Sequence, residues 1–321
     1  DARLGIFIHW GIYAVDGIDE SWSFFNGYVS YDDYMAQLDG FTAENYKPKD
    51  WAKLIERSGA RYAVLTTKHH DGVALWDTKQ NDLSTVHATP AGRDLVDPFV
   101  RALRKRDLRV GLYYSHLDWS HPDYPIHTRT DRRYEDDPER WARFLSFREG
   151  QLKELTQQFE PDLLWFDGDW EVGGADVWKS GALRDSLLTW HPDVILNSRI
   201  NGHGDYATPE QGLPVTPPEE AWELCMTMND SWGFQENDHN YKTPYQIIRI
   251  FADVLGGGGN LLLDIGPKAD GTIPDKQVAV LEELGRWTKA HAEAIYGTRA
   301  GIPAGHFYGP TTLSKDRQTL Y

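Results

Sequence analysis

The chain has one cysteine in 321 residues, Cys225. A lone thiol excludes an intrachain disulfide and a cysteine-built metal cluster, and it leaves the redox compartment open. Positive charge is scarce: 33 Lys and Arg against 49 Asp and Glu give a formal net charge of -16. That balance speaks against a nucleic-acid partner, because phosphate backbones are gripped by basic patches. No apolar run approaches the roughly 18 residues that a membrane-spanning helix needs. Low-complexity segments and short internal repeats are lacking. No G-x-S-x-G is present, which argues against a serine hydrolase. No G-x-G-x-x-G follows a strand-like run. Residues 256–259 precede such a run without the Lys-Ser/Thr of a P-loop, and read as a tight turn. The first residue is Asp1 rather than Met, so the chain reads as processed or trimmed, with any signal peptide already gone.

What is present describes an ordinary globular protein, 40% hydrophobic and 26% charged, longer than the roughly 250 residues of a typical barrel domain. Buried strand-like runs fall at 4–11, 62–72, 108–116, 163–167, 193–200, 221–229 and 259–266. Helical spacing occupies 50–58, 95–106, 137–159, 177–188, 244–255 and 276–294. Alternating strands and helices with buried strands predict a parallel α/β sheet, and this many repeats predict a closed TIM-like (β/α)8 barrel. After Tyr296, glycines and prolines crowd together without helical period. We therefore expect a barrel over residues 1–296, with 297–321 a linker and the truncated start of a C-terminal β-sandwich.

The stretch 161–171, PDLLWFDGDWE, sets three carboxylates directly behind a buried strand. In parallel barrels the active site collects where strands end, so Asp167 is the first catalytic candidate; the plain alternative is an Asp-Gly turn. Other strand ends bring His9 and Trp10, His69 and His70, Tyr113 to His116, Trp165, Arg199, and Trp222 with Glu223. Imidazole, phenol and guanidinium groups donate to hydroxyls while indoles cover apolar ring faces, a set suited to a small polyhydroxylated ligand. His69 and His70 also read as metal ligands, although neighbours on a strand point to opposite faces. If Asp167 attacks a sugar carbon, a second carboxyl group must protonate the leaving oxygen. Glu210, in the Gly- and Pro-containing run GDYATPEQ, is favoured over Glu223, Asp205, Asp169 and Glu171.

Seven motifs resemble glycoside hydrolase family 29, the retaining α-L-fucosidases: FIHWG at 7–11, TTKHHDG at 66–72, GLYYSHLDW at 111–119, LLWFDG at 163–168, NSR at 197–199, WELCMTMNDSWGF at 222–234 and NLLLDIGPKADGTI at 260–273. They span nearly the whole chain in the family's order. The resemblance implies a barrel followed by a β-sandwich, no cofactor and no metal, and a fucosylated glycan as substrate, cleaved from its end. It places the nucleophile on Asp167 and the acid/base on Glu210, with Glu223 in reserve. Sugar contacts fall on His9, His69, His70, Tyr113, Trp165 and Arg199, and aromatic walls on Trp22 and Trp232. Many members carry Glu before Trp22, where this chain has Ser21 with Glu20 beside it. The resemblance favours secretion or a periplasmic location; oligomeric state is not legible. The rival readings are a metal-dependent barrel hydrolase using His9, His69 and His70, and a fucose-binding protein without catalysis.

Overall fold

The computed structural model describes residues 2–303 and 305–321. The seven expected runs form parallel strands: β1 (Leu4–Ile8), β2 (Tyr62–Lys68), β3 (Arg109–Ser115), β4 (Leu163–Asp167), β5 (Ile195–Leu196), β6 (Glu223–Met226) and β7 (Asn260–Ile265). Their order in the sheet is β5-β4-β3-β2-β1-β7-β6, and every pairing is parallel. The main outer helices are α1 (Pro48–Arg57), α2 (Val96–Arg104), α3 (Pro138–Phe159), α4 (Ser180–Trp190), α5 (Pro244–Gly256) and α6 (Asp275–Ala290). Local chemistry starts them. Asp137 caps α3 ahead of Pro138, and Thr243 with Gln246 forms a capping box ahead of α5, each supplying an acceptor to first-turn N–H groups. Helix α2 buries Val96, Phe99, Val100 and Leu103, the spacing that turns one helical face to the sheet.

Strand parity divides the core into two layers, because successive side chains on a strand take opposite faces. Leu4, Ile6, Ile8, Leu65, Leu112, Leu164, Leu224 and Leu263 pack outward in the large core beneath the helices. Phe7, Tyr62, Val64, Tyr113, Leu163, Trp165, Cys225 and Leu262 form a separate cluster inside the barrel. The last inward position of β4 is Asp167.

The sheet is completed by a segment that its sequence does not announce. Residues 205–211 lie between β5 and β6. Asp205 N donates to Leu196 O at 2.7 Å, Ala207 N to Ala221 O at 2.9 Å, Glu223 N to Ala207 O at 2.9 Å and Cys225 N to Pro209 O at 3.1 Å. Parallel bridges Asn197 to Tyr206, Ala207 to Trp222 and Glu210 to Cys225 complete the contact. The expected loop is therefore an irregular eighth wall of the barrel. Gly204 allows it: a Cβ there would lie 2.0 Å from Asn197 O.

Two runs are shorter or broken relative to expectation. The 193–200 run yields only Ile195–Leu196 as strand, because the Asn197 side chain takes over the pairing: Phe166 N donates to its Oδ1 at 2.8 Å and its Nδ2 donates to Phe166 O at 2.9 Å. The 177–188 helix is interrupted at Lys179, whose φ is 51°. Near the end, Thr298–Ala300 pairs antiparallel with Thr312–Ser314 and is held to the barrel by the Arg3 guanidinium on Thr298 O.

Candidate active site

A cavity of about 210 Å³ opens among the ends of the strands, and the ten residues that the resemblance assigns to catalysis and sugar binding all line it: Asp167, Glu210, His9, Trp22, His69, His70, Tyr113, Trp165, Arg199 and Trp232. Phe7, Glu20, Trp170 and Cys225 complete the lining. Asp167 closes β4, and Gly168 turns the chain sharply away with φ +87°, where a Cβ would meet Leu117 Cγ at 2.4 Å. Arg199 joins the two candidate acids. Its Nη1 lies 3.0 Å from Asp167 Oδ1 and its Nη2 2.5 Å from Glu210 Oε2.

Asp167 also accepts from Tyr113 OH at 3.1 Å, and its side chain is 16% exposed. Burial works against its charge, but the Arg199 cation, then His70, and the bonds from Arg199 and Tyr113 hold its carboxyl below the usual range. It is thus an ionised, accessible carboxylate. The guanidinium that binds it sits 4.7 Å above the Trp165 ring, and Trp165, Tyr113 and His69 stack in succession at 5.7 Å with interplanar angles of 19° and 9°.

Each of the three histidines is fixed through Nδ1 to a buried oxygen, which leaves Nε2 for the cavity. His9 Nδ1 lies 2.7 Å from Asp264 Oδ1, His69 Nδ1 2.7 Å from Ser21 Oγ, and His70 Nδ1 2.6 Å from Ser115 Oγ. Ser115 donates its own hydroxyl to Leu117 O, so it accepts from His70, whose Nε2 is then an acceptor. Ser21 also accepts from Asp71 N and so is itself fixed where it meets His69 Nδ1. Burial keeps the imidazoles neutral, pushing His9 down to about 3, His70 to about 4 and His69 well below its ordinary value. Strand β2 ends at Lys68, which frees both His69 and His70 to face one cavity. Among the described residues, no group of three or more His, Cys, Asp or Glu could hold a metal ion.

The other acids and several strand-end residues have different places. Glu223 opens β6 deep inside the barrel, accepting from Tyr62, from Trp165 Nε1 at 2.9 Å and from Tyr206 at 3.3 Å. Asp205 accepts from Leu196 N and Arg184, Asp169 from Asn201 N, and Glu171 from Trp119 and Tyr124. Trp10 packs outward against Phe41, Tyr46 and Trp51. His116 is buried against Phe166, and Trp222 lies under the turn at Gly257, bonding its carbonyl.

Glu20 is the residue that sequence reasoning undervalued. It is 1% exposed, reaches the cavity and accepts from Gly233 N. Burial, with Asp19 next, pushes its carboxyl up to about 8. Its position one residue before Ser21 was the available signal.

Comparison with known proteins agrees with this geometry. The family model for alpha-L-fucosidase matches residues 1–293. An alpha-L-fucosidase of Branchiostoma floridae is 32% identical over 329 residues, which is 93% of this chain and 72% of that protein. The solved alpha-L-fucosidase isoenzyme 1 of Paenibacillus thiaminolyticus superposes with a TM-score of 0.90 at 37% identity, covering 97% of this chain and 79% of that one. A trapped covalent intermediate of a Bacteroides thetaiotaomicron alpha-L-fucosidase with 2-fluoro-fucosyl fluoride gives a TM-score of 0.89 at 29% identity, covering 98% and 79%. The inward strand ends, the tethered histidines and these matches together place the chain in the alpha-L-fucosidase family, glycoside hydrolase family 29.

Proposed function

We propose that this protein hydrolyses terminal α-L-fucosides of glycans with net retention, using Asp167 as nucleophile and Glu210 as acid/base. The observation that carries this reading is the single Arg199 guanidinium spanning both carboxylates. The width of one side chain suits the separation of roughly 5 to 5.5 Å that a retaining mechanism uses.

An Asp167 oxygen attacks the anomeric carbon as the glycosidic C–O bond breaks, and Glu210 gives its proton to the departing oxygen. Glu210 then takes a proton from water, whose oxygen attacks the same carbon and releases Asp167. Glu210 is 40% exposed, so it is free to turn from Arg199 to the glycosidic oxygen. Neutral His70 offers an acceptor to the sugar hydroxyls and neutral His69 a second ring nitrogen, and Trp232, 5.0 Å from His9, offers a flat apolar wall. Inside the barrel, Glu223 holds Trp165 and Tyr62 from below. The antiparallel pair at Thr298–Ala300 and Thr312–Ser314 supports reading 297–321 as the opening of a β-rich unit beside the barrel.

The test is Asp167→Gly with an aryl α-L-fucoside. Turnover should fall on the order of 10⁴-fold, the scale seen when one essential catalytic group is removed, and azide should restore it with a fucosyl azide of inverted anomeric configuration. Undiminished turnover, or fucose binding without hydrolysis by the unaltered chain, would overturn the assignment.

A further inference from the structure

Outside the sugar cavity, on the helix side of the sheet, five buried side chains close a ring behind the strand that carries Asp167. Arg148 and Gln151 stand one turn apart on the buried face of α3. Gln151 Oε1 accepts from Tyr114 OH at 2.9 Å. Tyr114 lies in β3 and His116 two residues further on, so both take the outer face of the sheet. The His116 ring packs on Trp178 at 5.5 Å. Trp178 O accepts from Arg148 Nη2 at 3.1 Å, and the guanidinium carbon stands 5.7 Å from the indole, which closes the circuit. All five residues are 2% exposed or less. His116 also stacks on Phe166 at 4.7 Å and 10°, and its N donates to Asp167 O at 2.8 Å, so the ring sits directly behind the end of β4.

The ring is rich in donors and poor in acceptors. Arg148 Nε and Nη1, Gln151 Nε2, Trp178 Nε1 and both His116 nitrogens have no hydrogen-bond partner among the described residues, although buried polar groups are nearly always bonded. Of these atoms only one His116 nitrogen can accept. Arg148 keeps its charge at neutral pH, since burial lowers it only to about 10. No carboxylate compensates it. Glu149 is exposed and accepts from Ser186. Asp118 is taken by Lys68 at 3.4 Å and by Ser120 N and His121 N. A buried charge is costly unless it is paired. We propose that these side chains form a binding site for one small monovalent anion, of which chloride is the type. Water could accept from the same donors but would leave the guanidinium charge unbalanced away from bulk solvent. The site is separate from the sugar cavity, so it stands or falls independently of the fucosidase reading.

The experiment has two arms on the full chain. In the first, thermal unfolding is followed as sodium chloride replaces sodium gluconate at constant ionic strength, so that general screening does not change. A ligand held only by the folded state raises its stability until the site fills; the expected result is a saturating rise in Tm of roughly 3 °C. Arg148→Met should abolish the chloride response. Trp178→Phe, which removes one donor and keeps the packing, should raise the chloride concentration at half-effect about tenfold, the scale of a hydrogen bond to a charged group, and it carries the test if Arg148→Met does not fold. In the second arm, crystals soaked in sodium bromide should show an anomalous peak in contact with Arg148 and Gln151. A Tm indifferent to chloride, the same chloride response in the variants as in the unaltered chain, or density in the ring that has no anomalous signal and refines as water would overturn the site.

Discussion

Ser21 Oγ lies 2.7 Å from His69 Nδ1, and the residue before it, Glu20, supplies the buried carboxyl that lines the cavity. Two adjacent residues divide the work: one orients an imidazole, the other lines the cavity. Ser21→Ala should leave kcat nearly unchanged and raise KM about fivefold, since a neutral hydrogen bond contributes about 1 kcal/mol. Steady-state kinetics on an aryl fucoside separates the two constants. A fall in kcat of the same size would mean that Ser21 acts on the transition state rather than through His69.

Glu20 makes stability depend on pH in one direction. Its carboxyl is raised from an ordinary 4.5 to about 8 by burial, so between those values the folded state keeps a proton that the unfolded chain has lost. Stability therefore declines as pH rises through that window and levels off above about 8, by up to about 1.4 kcal/mol per pH unit. Urea unfolding of the native chain and of Glu20→Gln should diverge steadily from pH 5 to 8. A constant difference would show that Glu20 is ionised throughout.

The histidines act on the acid side. His9 and His70 are lowered from 6.5 to about 3 and about 4, chiefly by burial. Below pH 6.5 the unfolded chain takes up protons that the folded imidazoles refuse, so stability falls with acidification until each folded value is reached. Each contributes up to about 1.4 kcal/mol per pH unit. Replacing His70 by Asn should lower the slope of unfolding free energy between pH 6.5 and 4 by about one proton. An unchanged slope would mean that His70 is charged in the folded protein.

Glu210 and Glu223 are separated by leaving-group dependence. Glu210→Ala should lose about 10² to 10⁴-fold on a natural linkage, the range for general acid catalysis, and far less on an aryl fucoside whose leaving group needs no proton. Glu223→Ala leaves the donors of Tyr62, Trp165 and Tyr206 without their shared acceptor. It should therefore destabilise the fold by about 3 kcal/mol, with equal activity losses on both substrates. The reverse pattern would exchange their roles.

Much of this was legible in the sequence, for physical reasons that differ by element. Strand β4 could be read because a parallel barrel strand is buried on both faces and shows a continuous apolar run, LLWF, that stops at Asp167. The segment 205–211 could not, because GDYATPE has the polar, Gly- and Pro-containing texture of a loop, and its place in the wall depends on the close approach of Gly204 to Asn197. Glu223 shows what parity and direction add. As the first residue of β6 it sits deep in the barrel, whereas Asp167, the last residue of β4, reaches the rim. Both acids point inward, and only their positions along the strands tell them apart. Trp170 was hidden because an exposed indole and a buried one are the same letter. His69 and His70 share a cavity because β2 ends one residue earlier, which an apolar pattern fixes only loosely.

The backbone bonds that hold 205–211 between β5 and β6 make Glu210, the proposed proton donor, part of a stave of the barrel rather than of a latch upon it. Lengthening or trimming this segment to change linkage preference would split the cylinder before it reshaped the aglycone side. Variation that tunes which glycan is cleaved has more room at the lip around Trp22 and Trp170, where side chains can be exchanged without breaking a hoop.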